Sequence, residues 1–239
     1  MRTALLVPCD DPDVLAKARA AKADALVFDL AGPSASRPAR RAAALAALLR
    51  TGRTGFQPCR VVRLAHLGSG DVDGDLDAVM AGAPDAVLLP DTVGPAAIEQ
   101  LGAKLAVREA ERGLAAGRTR IVAAPAASGA GLLALPRLAQ ARSRLAALLW
   151  DPVALAADLG AADPECEPCR VARVLVLAAA AACGVPALEA APGEDDASLA
   201  RRRAAAHRDG FAGLLLCRTS LLRPARAGDV PVSCASSPR

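Results

Sequence analysis

The chain has no tyrosine, three phenylalanines and one tryptophan, so aromatic residues make up 2% of its length. A core of stacked rings is excluded, and so is a groove that grips single-stranded nucleic acid by base stacking. Histidine is almost as scarce: His66 and His207 are the two copies, and they lie far apart. Neither has a partner at zinc-ligand spacing. No G-x-G-x-x-G opens the first helix, which removes the dinucleotide-binding signature. Long apolar runs are missing too. The nearest, "VARVLVLAAAAACGVP" from Val171 to Pro186, is interrupted by Arg173 and stopped at Gly184-Val185-Pro186. It reads as a buried amphipathic helix, not a membrane span. The opening "MRTALLVPCDDP" carries too short an apolar run for a signal peptide. The expectation is a cytoplasmic protein whose seven cysteines are reduced thiols.

What the chain does have is alanine, leucine and valine. Hydrophobic residues are 53% and charged residues 23% of the 239 positions, enough for a sizeable core. Alanine buries little area, so close approach of helices to a sheet must supply much of the stabilisation. The formal net charge of +4, spread along the chain, is a solubility term and not a nucleic-acid footprint. Two basic runs, Arg37 to Arg41 and Arg201 to Arg203, are expected on solvated helix faces. One C-x-x-C, Cys166 to Cys169, lacks the second pair a zinc site wants and reads as an incidental loop.

The strongest regularity is a repeating strand–helix unit. Short apolar runs fall at Leu5-Leu6-Val7, Ala25 to Leu30, Arg60 to Leu64 and Ala86 to Leu89. Four more fall at Arg120 to Ala124, Leu145 to Trp150, Pro186 to Leu188 and Gly213 to Cys217. Alanine-rich helical stretches separate them. This alternation predicts a parallel sheet with right-handed crossovers. The count suits a (β/α)₈ TIM barrel over residues 1–225 with a polar C-terminal tail at 226–239; an open doubly wound sheet is the rival. A barrel carries its chemistry at the C-terminal strand ends, which here read Asp10, Asp29, Arg63, Asp91, Ser128, Asp151, Glu189 and Arg218. Arg63 stands out, because a cation flanked by Val61-Val62 and Leu64 needs a partner or a ligand.

The opening "RTALLVPCDDPDVLAKARAAKADALVFDL" resembles the start of the HpcH/HpaI aldolase and citrate lyase beta-subunit family through Arg2, Val7, Pro8, Pro12, Asp29 and Leu30. "VVRLA" is similar to that family's Val-Arg-Val-Asn strand, which places Arg63 on its substrate-binding arginine. "AVLLPD", "VAAPAASGAG", "LAADLG", "AAACGVPALEA" and "RDGFAGLLLC" follow in the family's order. The resemblance implies a (β/α)₈ barrel, often oligomeric, that makes or breaks carbon–carbon bonds in acyl-CoA thioesters or short oxo acids. It also implies a divalent metal, usually Mg²⁺, held by two carboxylates.

The departures fall on that metal site. Ala127 stands where the resemblance places the metal-binding Glu, and Ala154 where it places the metal-binding Asp, with Val153 on an acidic neighbour. Ala31-Gly32 replaces Glu-Asp after Leu30, Asp91 replaces a lysine, and Cys217-Arg218-Thr219 replaces Ile-His-Pro. The family's C-terminal helical extension is expected to be missing or much reduced. The expectation is a degenerate member with no catalytic or metal-binding residues, binding an acyl-CoA or oxo acid through Arg63 and Asp29. The alternative is an active carbon–carbon lyase with a Mg²⁺ site relocated among Asp29, Asp91, Asp151 and Glu189. A third reading is a structural subunit that partners an active lyase relative; otherwise a homo-oligomer is expected. Nucleic-acid and membrane partners are not. Arg63 is expected to point into the barrel mouth, largely buried.

Overall fold

Parallel strands buried on both faces read as largely apolar runs, because each has a wall on either side. The computed structural model describes residues 3–9, 18, 23–32, 34–50, 57–191 and 195–216. Asp10, Cys217, Arg218 and the 226–239 tail, with the boundary at 225, lie outside these. The strands are β1 Thr3–Pro8, β2 Ala25–Asp29, β3 Cys59–Arg63, β4 Ala86–Leu89, β5 Arg120–Ala123, β6 Leu145–Trp150, β7 Ala187–Ala191 and β8 Gly213–Leu216. They pair in sequence order, all parallel, and β8 closes on β1 through Thr3↔Leu214. Closure excludes the doubly wound rival, since an open sheet has two unpaired edges.

The pleat sorts each strand into two faces. Ala4, Ala25, Val27, Val61, Ala86, Leu88, Val122, Ala147, Leu149, Leu188, Ala190 and Leu215 fill the barrel interior. Their neighbours, among them Leu5, Leu26, Phe28, Val62, Val87 and Leu148, pack under the helices. The interior mixes alanine with larger aliphatics, so the small residues leave room for the large ones across the barrel.

The described α-helices are α1 Arg37–Arg50, α2 Val72–Val79, α3 Gly94–Glu111, α4 Gly129–Ala134, α5 Pro152–Asp158, α6 Glu167–Cys183 and α7 Asp196–Asp209. Val171 to Cys183 is helical as expected, turning Ala172, Val176, Ala180 and Cys183 inward. No described helix is long and apolar enough to cross a membrane.

The basic run Arg37 to Arg41 is not a solvated face. Asp75 on α2, fully buried, accepts from Arg37 Nη1 at 3.2 Å and Arg41 Nε at 2.8 Å. Arg40 is also buried and donates to the Ala31 carbonyl. The second run is split: Arg202 turns inward to Glu189, while Arg201 stays exposed. A buried carboxylate elsewhere in the chain draws the arginine in, because neither charge tolerates burial alone.

Candidate functional site

Asp29 and Arg63 end β2 and β3 and are register partners. Each lies two residues past an interior residue, Val27 and Val61, so the pleat directs both side chains into the C-terminal mouth. Arg63 Nη1 meets Asp29 Oδ2 at 3.2 Å, with side chains 30% and 16% exposed. The other carboxylate oxygen, Oδ1, accepts from the Ala31 backbone N–H at 2.8 Å. Arg63 is therefore half-buried and not largely buried: it is the last residue of its strand, where the wall meets solvent. Its position is braced from behind, because Asp75 Oδ2 also accepts from the Ala65 backbone N–H at 2.9 Å.

Across the mouth, Ser128 Oγ donates to Asp91 Oδ1 at 2.6 Å and accepts from Gly131 N at 3.2 Å, capping α4. Asp91 sits at φ 45°, a left-handed conformation that aspartate enters more readily than most residues. Gly131 is required here, since a Cβ would lie 1.8 Å from the Pro125 carbonyl oxygen. Asp151 caps α5, accepting from Val153 N at 3.1 Å and Ala154 N at 3.2 Å. Asp158, at the end of α5, accepts from Gly129 N at 2.8 Å. The turn Pro125–Ala127 packs against α5, so the segments carrying Ala127 and Ala154 adjoin, and both alanines are partly exposed.

Glu189 does not belong to this rim. Leu188 and Ala190 face the interior, so Glu189 faces the helix layer. There it is 2% exposed and accepts from Arg173 Nη2 and Arg202 Nη1, both at 2.9 Å. Arg173 also stacks 4.6 Å above the Phe211 ring. This network roofs a cavity of about 530 Å³ on the outer wall, lined by Trp150, Cys169, Arg173, Glu189 and Arg202 among others. Sequence reading missed it because β7 extends past its expected end at Leu188 to Ala191, which turns a supposed strand-end acid into a mid-strand one. Two arginines in the flanking helical stretches, Arg173 before Glu189 and Arg202 after it, were the available signal.

Oxygen donors for a divalent cation are poorly provided. Ala127 and Ala154 supply methyl groups where the resemblance places carboxylates. Asp29, Asp91, Asp151 and Asp158 are each committed to protein donors. Among the described residues, no three His, Cys, Asp or Glu side chains gather to hold a metal. Mg²⁺ wants near-octahedral oxygen ligation anchored on carboxylates, and the residues present do not fit that demand. The position after Ala31 is closed as well: Gly32 has φ +132°, and the Arg40 guanidinium lies where its side chain would project.

A family model, HpcH/HpaI aldolase/citrate lyase, matches residues 2–218. Among curated proteins none matches the sequence. Of the solved structures, a citrate lyase beta subunit from Mycobacterium tuberculosis complexed with oxaloacetate and magnesium is 27% identical, covers 92% of this chain and 93% of its own, and has a TM-score of 0.72. The protein CitE of that organism, in complex with magnesium, acetoacetate and coenzyme A, is 26% identical over 93% of this chain and 78% of its own, with a TM-score of 0.72. RipC from Yersinia pestis, 23% identical with 93% of each chain covered and a TM-score of 0.73, shares the fold.

Proposed function

The chain belongs to the HpcH/HpaI aldolase/citrate lyase family, and from that premise we propose that it binds a short oxo acid or the acyl end of a CoA thioester at Arg63 without the family's metal-dependent chemistry. The observation that carries this reading is the donor set of the mouth. Methyl groups stand at positions 127 and 154, and every nearby described aspartate already holds a backbone N–H, a hydroxyl or Arg63. Relatives that are 26–27% identical were solved with magnesium and oxaloacetate, or with magnesium, acetoacetate and coenzyme A, which supports the ligand class.

Arg63 keeps the means to hold an anion. Its guanidinium has five N–H donors, of which Asp29 engages Nη1, and it is open to the mouth. A carboxylate or thioester carbonyl would accept from the remaining donors, while Asp29 holds the guanidinium plane in place. Carbon–carbon cleavage needs more than this. The enolate it leaves must be stabilised by a positive charge fixed beside it, and losing one such stabiliser costs about 10²–10³ in rate. The protein is therefore a non-catalytic or strongly altered member.

Calorimetric titration with oxaloacetate and with acetyl-CoA, each with and without Mg²⁺, tests the reading. Binding is expected to be independent of Mg²⁺ and to weaken about 10- to 100-fold in Arg63→Met, the worth of a charge-assisted hydrogen bond of ~1.5–3 kcal/mol. Mg²⁺-dependent turnover of a CoA thioester by the unmodified protein would sink it.

A further inference from the structure

The C-x-x-C pair is not in a loop. Cys166 is the N-cap of α6, at φ −62° and ψ 159°, and Cys169 lies in the first turn with Pro168 before it. Proline is tolerated in a first turn, where its missing N–H has no intrahelical partner to lose. The N-cap and the third helical residue are neighbours one turn apart, so this spacing sets Cys166 beside Cys169. Both are free thiols. Cys166 is partly exposed, whereas Cys169 is 1% exposed. Cys169 Sγ also donates to the Pro152 carbonyl at 3.8 Å, and its side chain lines the outer-wall cavity.

We propose that Cys166 and Cys169 form a dithiol site that closes to an internal disulfide by exchange with a low-molecular-weight disulfide. The reaction balances without any other reagent. Cys166, the accessible thiol, attacks one sulfur of the small disulfide through its thiolate. A mixed disulfide forms, one small thiol leaves, and it carries off the proton that Cys166 gave up. Cys169 then attacks the Cys166 sulfur, the mixed bond breaks, and the second small thiol departs with the Cys169 proton. Two protein thiols are oxidised and one small disulfide is reduced to two thiols.

Burial pushes the Cys169 thiol up to about 11, with the Cys166 thiol beside it adding to the shift. Cys169 therefore keeps its proton until a leaving thiolate arrives to take it. The closure reaches the barrel rim. Oxidation removes the S–H that Cys169 donates to Pro152, the first residue of α5, next to the cap Asp151.

The test uses the full chain and oxidised glutathione as probe. After incubation of the reduced protein, intact mass is expected to fall by two hydrogens, with peptide mapping placing the bond between Cys166 and Cys169. The single tryptophan, Trp150, lines the same cavity, so its fluorescence is expected to drop and to return on reduction. In Cys169→Ser, one glutathione is expected to stay trapped on Cys166. No change in mass, a mixed disulfide that persists in the unmodified protein, or a bond to any other cysteine would overturn the proposal. The map of the unmodified protein decides even if the variant does not fold.

Discussion

At Ala127 and Ala154, methyl groups stand where the resemblance to the family places two carboxylates. The turn bearing Ala127 already packs against the helix bearing Ala154, and both side chains reach accessible space. Ala127→Glu combined with Ala154→Asp is therefore expected to create Mg²⁺ or Mn²⁺ binding that neither the unmodified protein nor either single variant shows, as read by calorimetry. A double variant that folds and still binds no metal would place the family's ligand positions elsewhere in these segments. The strand-end places of Arg63 and Asp29 were legible in the sequence because a strand end is a fixed place in a barrel, and the ion pair between them is the partner that a cation beside apolar residues needs. The partners of Glu189 and Asp75 were not. Asp75 takes Arg37 from 38 residues away, and a charge run seen in one dimension carries no record of which carboxylate it will meet. The C-x-x-C pair was read as a loop, whereas Pro168 between the cysteines sits in the first turn of a helix, which accepts it.

The elements are tied together by buried carboxylates as much as by apolar contact. Asp75 joins α1, α2 and the segment leaving β3, which is how a residue outside the mouth steadies Arg63. Glu109 does the same for the opposite side. It sits on α3, is 1% exposed, and accepts from Thr119 N and Gly117 N ahead of β5 and from Arg144 ahead of β6. Burial alone would raise its pKa, but the Arg144 hydrogen bond and the two backbone N–H groups outweigh that and hold it below the ordinary glutamate value. A carboxyl depressed in the folded state stabilises above its unfolded pKa, about 4.3, and loses that contribution as pH falls through the folded pKa. Glu109→Gln is expected to cost about 3 kcal/mol at neutral pH, since it strands Arg144. In urea denaturation followed from neutral to acidic pH, the gap between the two proteins should hold down to about pH 5 and then close. A gap that stayed constant into the acid range would mean that Glu109 acts by shape and not by charge. Strand positions themselves were readable to within a few residues, because walls on both faces force an unbroken apolar run. The exception, β7, hides a charge whose satisfaction comes from α6 and α7.

Over the whole molecule, a barrel built with so few rings must hold its interior with aliphatics of unequal size. Leu149 is an instance: it projects into the interior beside Ala147 and Ala190, paired across the strand gap with Leu188. Truncating it leaves a hole that its alanine neighbours are too short to fill, and strands closed into a ring cannot move inward singly to collapse it. Leu149→Ala is expected to cost about 3–5 kcal/mol, toward the upper part of the range for such changes. Leu133, 84% exposed on α4, provides the contrast, and Leu133→Ala should fall within about ±0.5 kcal/mol of the unmodified protein. Paired urea titrations with unchanged slopes would measure both. A loss below about 1.5 kcal/mol for Leu149→Ala would show that the alanine-rich interior relaxes, and hence that the mouth held by β2 and β3 is less rigidly framed than closure of the sheet requires.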